Sequence, residues 1–346
     1  MPPAIILLAL APAARYTAGR AAVDGIEVIR LSDAERAITV SVAPSAGNMA
    51  YEMNVNGKNV LWMPRRNVAE LKARPALAGV PFLAPWANRI DGWSYYANGK
   101  RYQLNRELKN AGEDQNRNPI HGLLTGSQAW KVISVEADDS GAKVTSRLEF
   151  WRYPDLMAQF PFAHTIEMTY RLAGGALEVE TRLINHSEDP MPVAIGYHPF
   201  FRVYDAPRDE WRVHIPARDR MVLSEQLIPT GELKPNPYAD PLPLAGLRLD
   251  DVFTGLVRGE NGRAEFRVTG NKESVSVIFG PKYRVGVVWA PPRSGFICFE
   301  PMSAPTNAFN MSHAGTYKEL DSVPPGGEWR ESFWIRPEGF ETNAAP

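Results

Sequence analysis

An all-β fold, a large antiparallel β-sandwich with few short helices, is the architecture this sequence predicts, and three observations predict it. Short runs alternate polar and apolar residues with a period of two, as in 143–150 (KVTSRLEF), 165–172 (TIEMTYRL), 177–183 (LEVETRL) and 265–269 (EFRVT). That spacing lines one face of a half-buried strand. Between such runs stand Asn56-Gly57, Asn98-Gly99 and Gly174-Gly175, dipeptides that tolerate positive φ and suit two-residue hairpins. Finally, 30 prolines in 346 residues, against an average near 5%, fit loops and edge strands rather than long helices.

Taken in chain order, the first element is ambiguous. Residues 4–14 (AIILLALAPAA) are apolar enough for the core of a secretion signal and are followed by small residues, yet they are too short to span a bilayer. No Lys or Arg precedes the run, so residues 1–22 read either as a cleaved signal peptide or as an unstructured extension. The balance tilts toward a cytoplasmic protein, with export or a periplasmic location the alternative. From 23 to 340 the pattern is that of one domain. A helix is expected only around residues 68–72, soon stopped by Pro75. The stretch 95–104 (YYANGKRYQL) reads as a hairpin, and Gly174-Gly175 closes 165–172 onto 177–183. Residues 235–243 (PNPYADPLP) read as a long surface loop. Two nearly continuous apolar runs, 274–279 (SVSVIF) and 284–289 (RVGVVW), carry too little polar alternation for a wet face and belong mid-sheet in a two-sheet core. No fixed-period repeat and no Gly/Ser-rich linker interrupts this pattern.

Composition narrows the functional classes. Lys plus Arg total 38 against 39 Asp plus Glu, without long like-charge blocks, which argues against nucleic acid as a partner. No further run approaches the roughly 20 apolar residues of a membrane helix, so no membrane partner is expected. A single cysteine, Cys298, rules out an intrachain disulfide framework and zinc sites built from cysteine pairs. Glycine-rich phosphate loops, H-E-x-x-H and G-x-S-x-G are all missing, so nucleotide, zinc-protease and serine-hydrolase readings lose support.

Histidine and carboxylate remain as carriers of chemistry. His164, His186, His214 and His313 sit in ordinary strand or loop contexts and read as structural or surface groups. His121 differs, because in NPIHG a proline fixes the approach and a glycine lets the backbone turn beside the imidazole. Its bland counterpart is a histidine bonded into a turn. His198, in GYHPFF, follows an apolar stretch and is flanked by aromatics of the kind that suit sugar C–H surfaces. It reads equally as a core histidine with satisfied nitrogens. Glu300 ends the buried-strand run FICF, where a carboxylate loses hydration and gains a raised pKa unless partnered; an edge glutamate reaching solvent is the alternative. Arg89 in PWANRI and Asp250-Asp251 in LDDVF are charges between apolar segments, a pattern that alone most often means solvation or ion pairing.

In order along the chain, PWANRI, NPIHGLL, GYHPFF, LDDVF and FEPMSAPTNAFN resemble the successive sugar-site motifs of the aldose 1-epimerase (galactose mutarotase) family. Similarity extends through LEVETRLINHSEDPMPVAIGYHPFF and LDSVPPGGEWRESFWI, so it spans about residues 27 to 336. The resemblance implies a galactose mutarotase-like supersandwich with an open cleft, no metal, no organic cofactor, and a free aldose such as glucose or galactose as the small-molecule partner. It implies Glu300 as the base at the anomeric hydroxyl, His198 as the acid at the ring oxygen, and His121 as a second hydrogen-bonding or acid group. Arg89, Asn88 and Asp250 are implied as holders of other hydroxyls.

LDDVF departs from the family pattern by offering two aspartates where one acid is expected; Asp250 is aligned with the family position and Asp251 is the alternative. The tail SAPTNAFN also differs and bears on sugar preference. Two rival functions follow. A related branch acts on hexose 6-phosphates and needs extra cations, which Arg65 and Arg66 could supply. A non-catalytic carbohydrate-binding module on the same fold is the other, although a pure binder has no need of an acid–base pair. Monomer and homodimer both remain open.

Overall fold

A computed structural model describes residues 14–341. Most of the expected N-terminal segment, residues 1–13, therefore lies outside the described residues. Its last part does not: Tyr16–Val23 is a strand paired with Ile26–Asp33, so the sheet begins ahead of the boundary expected after residue 22. Three sheets hold most of the strands, and three two-stranded sheets hold the others. Nine strands form the largest, in the order Lys131–Asp138, Gly141–Glu149, His164–Ala173, Ala176–Asn185, Glu328–Glu338, Ser274–Phe279, Ala264–Thr269, Arg212–His214 and Leu242–Pro243. The second, of eight strands, runs Pro229–Pro235, Ala217–Leu223, Leu249–Leu256, Val285–Ala290, Ile297–Met302, Gly196–Tyr197 and Phe82–Leu83, with Phe200–Phe201 also on Ile297–Met302. A five-stranded N-terminal sheet packs alongside.

Each of the four alternating runs lies in a strand of the large sheet, and the hairpin dipeptides sit where expected, for example between the paired residues Ala173 and Ala176, Val55 and Lys58, and Ala97 and Lys100. The two apolar runs are central as expected, but in different sheets. Residues 235–243 are not wholly loop: Pro235 ends one strand of the eight-stranded sheet and Leu242–Pro243 is the edge of the nine-stranded one. Prolines sit there because an edge strand can leave N–H positions unpaired. The helix at Val68–Ala73 is capped by the Asn67 side chain accepting from the Glu70 N–H. Two more six-residue helices, Pro154–Gln159 and Ala308–His313, escaped the sequence reading because so few residues show no helical period.

One hydrophobic core joins the sheets. It takes Val275, Val277 and Phe266 from the nine-stranded sheet, Leu249, Phe253, Val288 and Phe299 from the eight-stranded sheet, and Leu31 and Val40 from the five-stranded one. The other face of the eight-stranded sheet carries two small separate clusters, Val252, Val285, Val287 and Met302 on one side and Phe200, Phe296 and Cys298 on the other. Between these clusters the candidate site is built.

Candidate active site

Strand parity decides which side chains meet. In antiparallel strands, directly paired residues share a face and successive residues alternate. Val252 pairs with Val287 and Val287 with Glu300, while Asp250 pairs with Trp289 and Trp289 with Cys298. Glu300, Asp250 and Trp289 therefore share the face turned away from the main core. Asp251 pairs with Val288, which pairs with Phe299, on the opposite face. There it accepts hydrogen bonds from Arg220 (2.9 Å) and the Tyr238 hydroxyl (2.9 Å).

His198 reaches Glu300 from the connection between Gly196–Tyr197 and Phe200–Phe201, both of which pair with the strand carrying Glu300. Its backbone N–H donates to the Pro81 carbonyl at 3.1 Å, and its ring stacks on Phe200 with centroids 4.8 Å apart and meets Trp289 edge-on at 5.6 Å. The His198 Nε2 lies 3.2 Å from Glu300 Oε1. Both side chains are buried.

Two sequence-distant loops are laced together to deliver the remaining groups. Arg89 bridges Ile120, Ala84 bridges Gly122, and the His121 N–H donates to the Asn88 carbonyl at 2.9 Å. Asn88 (φ 56°) and His121 (φ 63°) both hold left-handed backbone, uncommon outside glycine and frequent where a fold imposes a functional geometry. Gly122 follows at φ 68°, and a Cβ there would lie 2.2 Å from the Ala84 carbonyl oxygen; only glycine allows the two loops to touch. This places the His121 ring perpendicular to that of His198, centroids 5.4 Å apart. Arg89 donates from Nε to Asp114 at 2.7 Å and from Nη1 to Asn88 Oδ1 at 2.9 Å.

The electrostatics are those of a buried cluster. Burial, with the Asp250 charge adding to it and Arg89 opposing, holds the Glu300 carboxyl well above the usual carboxylate range. Burial lowers His198 to about 4 and pushes His121 well below an ordinary imidazole. Asp250 is raised, first by burial, against the pull of Arg89 and Arg248, and no hydrogen bond contributes. Glu300 Oε2, His198 Nδ1 and His121 Nδ1 are buried without a partner. Buried polar atoms are seldom left unsatisfied, and these three leave hydrogen-bonding capacity unused beside the His198–Glu300 contact. Cavity size is a poorer guide: a groove of about 780 Å³ elsewhere holds the His214–Asp240 pair and Arg258, whose donors are already taken by three backbone carbonyls.

All six residues singled out from the sequence, His121, His198, Glu300, Asn88, Arg89 and Asp250, thus gather on one face, joined by contact or by electrostatic influence. The other four histidines lie apart from it: His164 bonds the Phe162 carbonyl, His186 bonds Thr165, His214 pairs with Asp240 and His313 stacks on Tyr96. Asp114 and the aromatic wall of Trp62, Trp289 and Phe296 were not picked out in advance. The wall extends Phe200 outward, with Trp62 and Phe296 centroids 4.4 Å apart. Trp289 was visible as the end of an apolar strand; Trp62 carried no local signal.

Comparison with known proteins identifies the family and the fold. The family model described as aldose 1-epimerase matches residues 28–336. The chain belongs to the aldose 1-epimerase family. Among relatives of this chain, the uncharacterized protein YihR of Escherichia coli K12 is 27% identical over 241 residues, covering 66% of this chain and 70% of YihR. A galactose mutarotase-like protein from Clostridium acetobutylicum superposes with a TM-score of 0.83 at 20% identity, covering 94% of this chain and 99% of its own. The Slr1438 protein of Synechocystis sp. PCC 6803 gives 0.72 at 25% identity, covering 90% and 96%. These likenesses fix an aldose 1-epimerase-like β-sandwich. Among the described residues, no helix is long and apolar enough to cross a membrane.

Proposed function

We propose that this cleft interconverts the α and β anomers of a free, uncharged aldohexose such as glucose or galactose by acid–base ring opening. The observation that carries the reading is the buried contact of 3.2 Å between His198 Nε2 and Glu300 Oε1, with Glu300 Oε2 left unpartnered. Oε2 is the atom free to take the proton of the anomeric hydroxyl. As that proton leaves, the O1 electrons form the C1 carbonyl and the C1–O5 bond breaks toward O5, which takes a proton from His198. Rotation about C1–C2 turns the other face of the aldehyde toward O5, and closure runs the same transfers backward.

The proton count is consistent. With Glu300 raised and His198 lowered, the empty cleft favours a neutral carboxyl beside a neutral imidazole. The reactive form, carboxylate beside imidazolium, holds the same single proton on the other partner. Sugar hydroxyls that donate to Oε2 and accept from the imidazolium favour the charge-separated form. Each of the two groups is worth roughly 10² to 10⁴ in rate. His121 bonds the ring oxygen or the anomeric region; Arg89, Asn88 and Asp250 hold other hydroxyls; the half-buried Trp62 and Trp289 offer apolar faces to the sugar C–H surface.

Phosphorylated hexoses fit less well. Arg65 donates to the Arg74 carbonyl and the Arg66 N–H to Glu70, around the helix Val68–Ala73, while Asp250 adds negative charge to the cleft. The test is polarimetry on freshly dissolved α-D-glucose and α-D-galactose, with the wild type and Glu300→Gln. Faster approach to anomeric equilibrium with wild type alone supports both activity and base. Equal rates for the two proteins would remove Glu300 from the mechanism, and no acceleration on either sugar would sink the free-sugar reading.

A further inference from the structure

Asp114 is a buried acid beside the cleft that the ring-opening steps do not use. Its side chain is 2% exposed. One carboxylate oxygen, Oδ2, accepts from Arg89 Nε at 2.7 Å. The other, Oδ1, accepts the backbone N–H groups of Asn116 (2.9 Å) and Asn118 (2.8 Å), closing the turn that leads into Pro119–Ile120 and His121. Arg89 is the cation of the site: its charge acts on His121, His198, Glu300 and Asp250. In the low dielectric of a buried cleft, an unmatched guanidinium would attract an anionic ligand strongly. Asp114 matches it one to one. A second cation acting on Asp250, Arg248, is solvent-exposed and screened by salt. With Glu300 and His198 sharing one proton, the residual charge facing a ligand is the Asp250 carboxylate.

We infer that Asp114 sets the charge selectivity of the cleft: by neutralising Arg89 it leaves a surface that accepts uncharged aldoses and disfavours anionic sugars such as uronic acids. The inference rests on the sugar-epimerase reading above and names the residue that narrows its substrate class. Asp114 acts through Arg89 and is a positioning and charge-setting residue; it does not touch the reacting atoms.

The experiment compares D-glucuronate with D-glucose, which share an anomeric centre and differ in charge at carbon 6. The quantity read is the ratio of their kcat/KM values at low ionic strength. Asp114→Asn keeps an oxygen that can accept from Asn116 and Asn118 while removing the charge, and it raises the ratio in favour of glucuronate by about tenfold. Arg89→Gln leaves Asp114 unmatched and shifts the ratio about tenfold the other way. The double variant returns close to the wild-type ratio, and raised salt shrinks both single shifts. A purely structural brace would lower both substrates together and leave the ratio unmoved. An unchanged ratio in Asp114→Asn, or a double variant that stays at the ratio of either single variant instead of returning toward wild type, overturns the proposal. Should Asp114→Asn fail to fold by circular dichroism, the double variant compared with Arg89→Gln decides, and equal ratios in those two overturn the proposal. If the wild type turns over neither sugar, the epimerase reading fails on its own, and the same ratio is read from calorimetric binding of the two sugars.

Discussion

Acidifying the solution should leave sugar epimerisation intact far below the pH at which an ordinary histidine gains its proton. The pair His198–Glu300 works with one proton. A second proton must go onto His198 while Glu300 is already neutral, and burial lowers that step from the usual 6.5 to about 4. A displacement of this size corresponds to about 3 kcal/mol against the doubly protonated pair. At pH 5.5 a histidine of ordinary pKa would leave roughly a tenth of the enzyme competent, whereas His198 leaves more than about nine-tenths. Because kcat/KM reports the free enzyme and the pair titrates as a unit, the assay is polarimetric kcat/KM on α-D-glucose from pH 3.5 to 9, with the spontaneous rate subtracted at each pH. The acid limb is expected to fall as pH drops through about 4. Asp250, itself raised by burial, gains its proton as the pH falls, so the profile is repeated in Asp250→Asn to separate binding from catalysis. An acid limb centred between pH 6 and 7 in both proteins would refute the reasoning, since it would mean that His198 is effectively hydrated.

Other consequences are sharper in geometry than in magnitude. Asp250→Asn is expected to lower kcat/KM by roughly 10- to 100-fold with little change in thermal stability, the carboxylate having no hydrogen bond to lose. Asp251→Asn leaves kinetics within about threefold but, weakening its contacts with Arg220 and Tyr238, costs about 1 kcal/mol in a denaturant titration; the reverse pattern would contradict the strand register. In Gly122→Ala the new Cβ, 2.2 Å from the Ala84 oxygen, forces the two site loops apart by about an ångström, for which roughly a 100-fold loss of kcat/KM is expected and stability falls by about 2 kcal/mol. Wild-type activity there would show that the loops do not need this contact. His164, stacked on Phe150 at 4.3 Å and lowered by burial to about 4, must stay neutral to remain inside. Its folded pKa lies below the unfolded one, so its contribution is full above about pH 6.5 and is lost as pH falls toward 4, about 3 kcal/mol in all. His164→Phe should flatten that part of the stability–pH curve, and an unchanged slope would assign the acid sensitivity to other groups.

How much of this was written in the sequence depends on how local each cause is. Period-two patterning and hairpin dipeptides are properties of a few adjacent residues, so strands such as His164–Ala173 and Ala176–Asn185 and the turn between them were legible to within a residue or two. The six-residue helices Pro154–Gln159 and Ala308–His313 escaped because they are too short to show a helical period and neither has a side-chain cap. The site motifs were visible as isolated peptides, and their order along the chain pointed to the family. What no peptide contains is distance. Asp250 and Asp251 are equivalent as neighbours in sequence; only the pairing of Asp250 with Trp289, and of Val287 with Glu300, puts one on the cleft and turns the other away. Asp114 is marked by no motif, and only the fold brings Arg89, 25 positions away, onto its carboxylate. The tuning of Glu300 and His198 likewise comes from desolvation, and desolvation belongs to the packed sheet, because a side chain loses its water only when residues remote in sequence close over it.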